Sequence, residues 1–210
     1  MSKTRPSPGR LEAFSDGVLA VVITIMVLEL KVPHESGFAG LQPILPILLV
    51  YLLSFAVAGI YWINHHELVH RLKAVDEFIL YANLGFLFCI SLMPFFTDYV
   101  LEKHFEPFSV MLYGISMVAN GLSFWVLRVA VNRVLCLEGQ LIEEDIATQR
   151  KHIFSLFVYL IGVPLAYRYP RFAMADIALV TVLWIIPTFG VKPNDALAQP
   201  HTHDHNPDRR

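Results

Sequence analysis

Arg10-Leu-Glu12-Ala-Phe14-Ser15-Asp16-Gly17-Val-Leu-Ala-Val21-Val-Ile-Thr24-Ile25-Met-Val-Leu28-Glu29 is the stretch that decides the fold class. Its apolar run, taken from Leu11 to Leu30, reaches the ~20 residues needed to cross a bilayer as a helix. It exceeds the ~7–15-residue core of a secretory signal, and it carries Glu12, Asp16 and Glu29, so it reads as a retained helix. A carboxylate inside a span costs a few kcal/mol at mid-membrane and less near the ends. Asp16 therefore needs a donor or a water-filled cavity. Between Asp16 and Glu29 the one polar side chain is Thr24.

The rest of the chain is built alike. Of its 210 residues 55% are hydrophobic and only 16% charged, against about 25% charged in soluble domains. Further spans are expected at Ile44 to Asn64, at Phe78 to Tyr99 with a kink at Pro94, and at Phe108 to Val131. A short one from Ile153 to Tyr167 contains Pro164, and a last one runs from Phe172 to Phe189. The expectation is an all-α, polytopic membrane protein with six transmembrane helices in one domain, residues 1–191. The less hydrophobic stretch from Leu135 to Lys151 reads as a partly helical connector. Residues 192–210, with His201, His203 and His205, read as a disordered tail.

Basic residues set the orientation. Six spans place Lys3, Arg5, Arg10, Arg71, Lys73, Arg128, Arg133, Arg150, Lys151, Lys192, Arg209 and Arg210 on the side of the termini. Lys31, Lys103, Arg168 and Arg171 fall on the other side. By the positive-inside rule both termini are cytoplasmic, in a cell (plasma or inner) membrane. A net charge of −2 supplies no reason to invoke nucleic acid. Cys89 and Cys136 read as isolated apolar thiols.

Antiparallel packing brings the last turn of the second span, Trp62-Ile-Asn64-His65-His66, to the depth of Asp16. Asp16, Ser15, Trp62, Asn64 and His65 or His66 are thus expected in one buried polar cluster, which either locks two helices together or meets an ion directly. A metal site fits poorly. Adjacent His65 and His66 point about 100° apart, and the i,i+4 pair His66 and His70 has no second pair of ligands.

Gly17, Val21, Thr24 and Leu28 form one stripe of the first helix, flanked by Ile25. Thr24 either bonds back to its own helix or offers its hydroxyl to a symmetric pore. In the second case Val21 and Leu28 are apolar constrictions. The helix alone leaves both readings open.

Arg10-x-x-x-Phe14-Ser15-Asp16, its continuation through Gly17 to Pro33, and Trp62-x-Asn64-His65-His66 resemble the transmembrane protein 175 family of potassium channels. The resemblance implies a homotetramer with its first helices around a central pore that passes potassium ions. It implies a leak-type channel of modest potassium-over-sodium selectivity, with no cofactor and no enzymatic activity. No Thr-Val-Gly-Tyr-Gly filter sequence occurs in the chain. Carried over, the pore face corresponds to Val21, Thr24, Ile25 and Leu28. Arg10, Phe14, Ser15 and Asp16 correspond to structural support tied to Trp62, Asn64 and His65 or His66. Val21 departs from the Ile or Leu common at the first constriction.

A secondary transporter of a cation or small solute is the alternative. It would show broken helices meeting at the midplane, whereas Pro94, Pro164 and Pro187 lie near span ends. The second to sixth spans are read as free of deep charges. An intramembrane enzyme would need a second acid or a nucleophile beside Asp16 and a histidine, and none is evident.

Overall fold

The computed structural model describes residues 7–28, 30, 32 and 37–186. The His-rich tail lies outside them. Helix α1 spans Pro8–Leu28 and starts with proline, whose fixed φ suits a first helical turn. A single turn α2 (Phe38–Leu41) and the 3₁₀ turn Gln42–Ile44 lead into α3 (Leu45–Val69). Asp76 caps α4 (Glu77–Ser91) by accepting the Ile79 N–H at 2.8 Å.

The kink expected at Pro94 is a full break. The chain stops at Leu92 and restarts as α5 (Met93–Glu102) with Pro94 in its first turn. Proline has no N–H to give back to the preceding turn.

Helix α6 (Pro107–Leu137) is the long central element, packed by α4, α5, α7 and α8. Tyr61, Phe86 and Phe124 meet at its middle, with ring centroids 5.0 to 5.5 Å apart. After a turn at Gly139 (φ 68°), α7 runs unbroken over Glu143–Arg168. The short span expected from Ile153 is thus the second half of a longer helix. Three acids in its first turn interact favourably with the positive end of the helix dipole. Pro164 is accommodated inside it. Helix α8 (Pro170–Ile185) follows directly.

Among the described residues four stretches are long and apolar enough to cross a membrane: Pro8–Leu28, Gln42–Val69, Glu77–Glu102 and Pro107–Leu137. Helices α7 and α8 fall short of that measure. The first opens with Glu143-Glu144-Asp145 and carries Arg150 and Lys151; the second is only 16 residues long. The apolar window of α6 is 50% buried, whereas those of α1 and α3 are 28% and 22% buried. Helices α1 and α3 therefore present wide apolar faces that a water-facing monomer would not tolerate.

Two charged side chains of the described residues lie against neighbouring helices. Arg128 on α6 is buried, and Asp176 on α8 lies against Gly162 of α7. A Cβ at position 162 would come within 2.8 Å of the Asp176 Oδ2, so only glycine permits this approach without a shift.

Candidate functional site at the base of α1

Helix α1 buries Leu11, Ser15, Leu19, Val22 and Met26, a stripe spaced at three and four residues. It packs on α3, α4 and α5. At its Arg10 end the contact is polar, and it is organised as separate rungs rather than as one cluster.

The innermost rung is buried. The Ser15 hydroxyl donates to the Leu11 carbonyl at 2.9 Å and accepts from Asn83 Nδ2 at 2.9 Å. The carbonyl oxygen of Asn83 faces His65 Nε2 at 2.8 Å. An amide oxygen only accepts, so the His65 proton resides on Nε2. The imidazole ring stacks on Phe86, with centroids 6.0 Å apart and planes 18° apart. One amide on α4 thus joins α1 to α3.

The second rung lies nearer the surface, where Trp62 Nε1 donates to Asp16 Oδ1 at 3.0 Å. In the outermost rung His66 Nδ1 meets Glu12 Oε1 at 2.6 Å, and the imidazole stacks on Trp62. The His66 and His70 ring centroids are 5.7 Å apart.

Asn64 leaves the expected cluster. Its Nδ2 donates to the Ile60 carbonyl at 2.8 Å, and its Oδ1 accepts from Arg128 Nη2 at 3.2 Å. The side chain points to α6 instead of α1, because Asn64 and His65 project about 100° apart on one helix. The Arg128 guanidinium also lies over the Phe124 ring, 5.3 Å from its centroid. Beyond the helix end, Arg71 clamps the loop after α6, donating to Asp145 Oδ1 at 2.6 Å and to the Gln140 carbonyl at 2.5 Å. Arg10 and Phe14 border a groove beside α4, together with Glu77, Leu80 and Tyr81.

The middle of α1 is different. Val21, Ile25 and Leu28 are 54%, 42% and 76% exposed, and Thr24 is exposed between them. The Thr24 hydroxyl lies 2.9 Å from the Ala20 carbonyl and 3.0 Å from that of Val21. Its proton is held by its own helix, and its oxygen lone pairs remain outward. The two readings of Thr24 are compatible.

Asn83, Glu12 and Arg128 are the partners that depth matching between the first two spans does not find. Asn83 carries the one side-chain amide in α4, and Arg128 is a charge among Val126, Leu127 and Val129. Both signals are present in the sequence.

Membrane-length helices, joined at one end by buried hydrogen bonds and leaving an apolar face of the first helix open, define a multi-pass α-helical membrane protein. Comparison with known proteins narrows that class. The model of the family described as endosomal/lysosomal potassium channel TMEM175 matches residues 10–94, from the first signature residue to Pro94. A potassium channel of Chryseobacterium sp. (strain P1-3) is 45% identical over 85% of this chain and 93% of its own. A potassium channel of Chamaesiphon minutus is 31% identical over 76% of this chain and 84% of its own. The crystal structure of a lysosomal potassium-selective channel TMEM175 homolog from Chamaesiphon minutus shares the fold. Its TM-score is 0.63 at 24% identity, over 85% of this chain and 96% of that one. The chain belongs to the TMEM175 family, an ion-channel family.

Proposed function

We propose that the chain is one subunit of a homotetrameric, potassium-permeable leak channel in which four copies of α1 surround a central pore. All six long helical segments cross the membrane, with both termini in the cytoplasm. Helices α7 and α8 do so as a hairpin whose polar groups face inward. The observation that carries the reading is the division of α1. One face is packed against its own subunit, while Val21, Thr24, Ile25 and Leu28 remain free on the other. Relatives named as potassium channels supply the ion.

In this arrangement Leu28 and Val21 form apolar rings that restrict hydrated ions, and a narrow apolar ring closes by dewetting. Four Thr24 oxygens, with protons turned toward their own helices, present acceptors to a partly dehydrated cation. Potassium sheds water more readily than sodium, so the ring favours it modestly. Arg10, Phe14, Ser15, Asp16, Trp62, His65 and His66 hold the helix, Asn64 ties α3 to α6 through Arg128, and none of them touches the ion.

Potassium and sodium flux from proteoliposomes tests this reading. Thr24→Val keeps the shape of the side chain and removes the oxygen. Its potassium-to-sodium ratio is expected to fall toward one while protein yield and melting stay unchanged. An unchanged ratio would remove Thr24 from the ion path. Saturable, gradient-coupled flux in the wild type would replace the channel by a transporter.

A further inference from the structure

Helix α7 carries polar groups on the face that it buries: Asp145, His152, Ser155 and Tyr159. Polar groups inside a membrane bundle need partners. Ser155 has them, since its hydroxyl donates to the Lys151 carbonyl at 2.9 Å and accepts from Trp184 Nε1 at 2.9 Å. His152 is half provided for. Its Nε2 donates to the Gly121 carbonyl at 2.9 Å, while Nδ1 is buried with no hydrogen-bond partner among the described residues. The ring is held flat on Phe124, with centroids 5.6 Å apart, and meets Trp184 edge-on at 6.0 Å.

Beside this ring, between α3, α6, α7 and α8, lies a cavity of about 30 Å³, bordered by Tyr61, Asn64, His152, Ser155, Tyr159 and Thr181 among others. One water molecule needs roughly 10–15 Å³ of such space and two to four polar partners. Voids lined by aliphatic and phenyl groups alone stay dry. This wall is largely apolar, with Val57, Ile60, Phe124 and Leu156, but it also includes an imidazole, an amide, two phenols and two hydroxyls. Asn64 also borders a wider polar pocket with His66, His70, Arg71 and Glu144 at the Arg10 end of the bundle.

We propose that this cavity is a water-binding site inside each subunit, in which ordered water donates to His152 Nδ1 and exchanges with bulk solvent past Asn64. Such a site joins the α7–α8 hairpin to α3 and α6 through a replaceable hydrogen-bond partner. It gives the subunit a hydrated interior separate from the exposed face of α1, and it stands whether or not α1 lines a pore.

Gly121 supplies a variant that fills the space. A Cβ there falls 2.7 Å from Leu156 Cδ2, the end of a flexible side chain that itself borders the cavity. Gly121→Ala therefore pushes Leu156 into the water position. X-ray hydroxyl-radical footprinting of the full-length protein in lipid nanodiscs reads the result, because radicals made from bound water modify the side chains that touch it. Tyr61 and Tyr159 are expected to be modified severalfold faster than Tyr113, which is also buried but is bonded to Ser54 away from the cavity. In Gly121→Ala their rates should drop to that of Tyr113. Wild-type rates at Tyr61 and Tyr159 no higher than at Tyr113 would mean a dry cavity and overturn the proposal. Labelling unchanged in Gly121→Ala would assign the signal to breathing of the helices and overturn it equally. Wild-type rates no higher than at Tyr113 overturn the proposal even if the variant does not fold.

Discussion

The first turns of α1 and its middle turns share one helix but obey opposite rules. From Glu12 to Asp16 every polar side chain is engaged by a neighbouring helix: Glu12 by His66, Ser15 by Asn83, Asp16 by Trp62. From Val21 to Leu28 the outward side chains engage none of them, and the one hydroxyl turns back on its own backbone. The base of the helix is fixed by specific hydrogen bonds; its middle is held by apolar packing of Leu19, Val22 and Met26 on the inner face, with Val18 and Ile23 beside them. A family signature written in the base therefore reports how the helix is mounted. In the proposed channel, what the mounted helix does is decided further along, by Val21, Thr24, Ile25 and Leu28.

That contrast predicts two separable classes of variant. The largest effect is expected at Asn83. Asn83→Leu leaves the buried His65 Nε2–H with no acceptor, a loss of about 1–2 kcal/mol of stability. Detergent-solubilised protein should melt lower, and flux should fall with the amount of folded protein. Next comes Leu28→Ala, which should raise cation flux by widening an apolar ring while leaving the melting temperature in place. An unchanged flux would move the constriction away from this residue. Trp62→Phe removes a partly exposed hydrogen bond and should cost about 0.5–1 kcal/mol, read in the same melting assay. The smallest effect is expected for Glu12→Gln, because the His66–Glu12 pair has side chains 50% and 23% exposed. Pairs of that kind contribute roughly 0–1 kcal/mol. A large loss there would show that the outer rung matters more than its exposure allows.

Much of this architecture is legible in the sequence. Apolar runs locate the helices, and Pro94 marks the break between α4 and α5. Depth matching of antiparallel neighbours places Asp16 beside Trp62. It does not separate Asn64 from His65, since their projection depends on helix rotation, which depth does not contain. Nor does it find Asn83, because the third span contributes to the same layer from a different side. Helix α7 is hardest to read. Hydropathy averages its charged first turns with its apolar second half, and Asp145, His152, Ser155 and Tyr159 face inward, so it reads as a connector followed by a short span. Arg128 is visible as a charge among aliphatic residues, but its partners Asn64 and Phe124 emerge only from the fold.

The central claim is that the open face of α1, and not its packed face, meets the permeating ion. Silver-ion block of single-cysteine variants tests it most directly, in a background where Cys89 and Cys136 are replaced by alanine so that no native thiol reacts. Potassium flux through proteoliposomes should be blocked with cysteine at Val21, Thr24, Ile25 or Leu28, and unaffected with cysteine at Leu19, Val22 or Met26. Block confined to the second set, or absent from the first, would contradict the account.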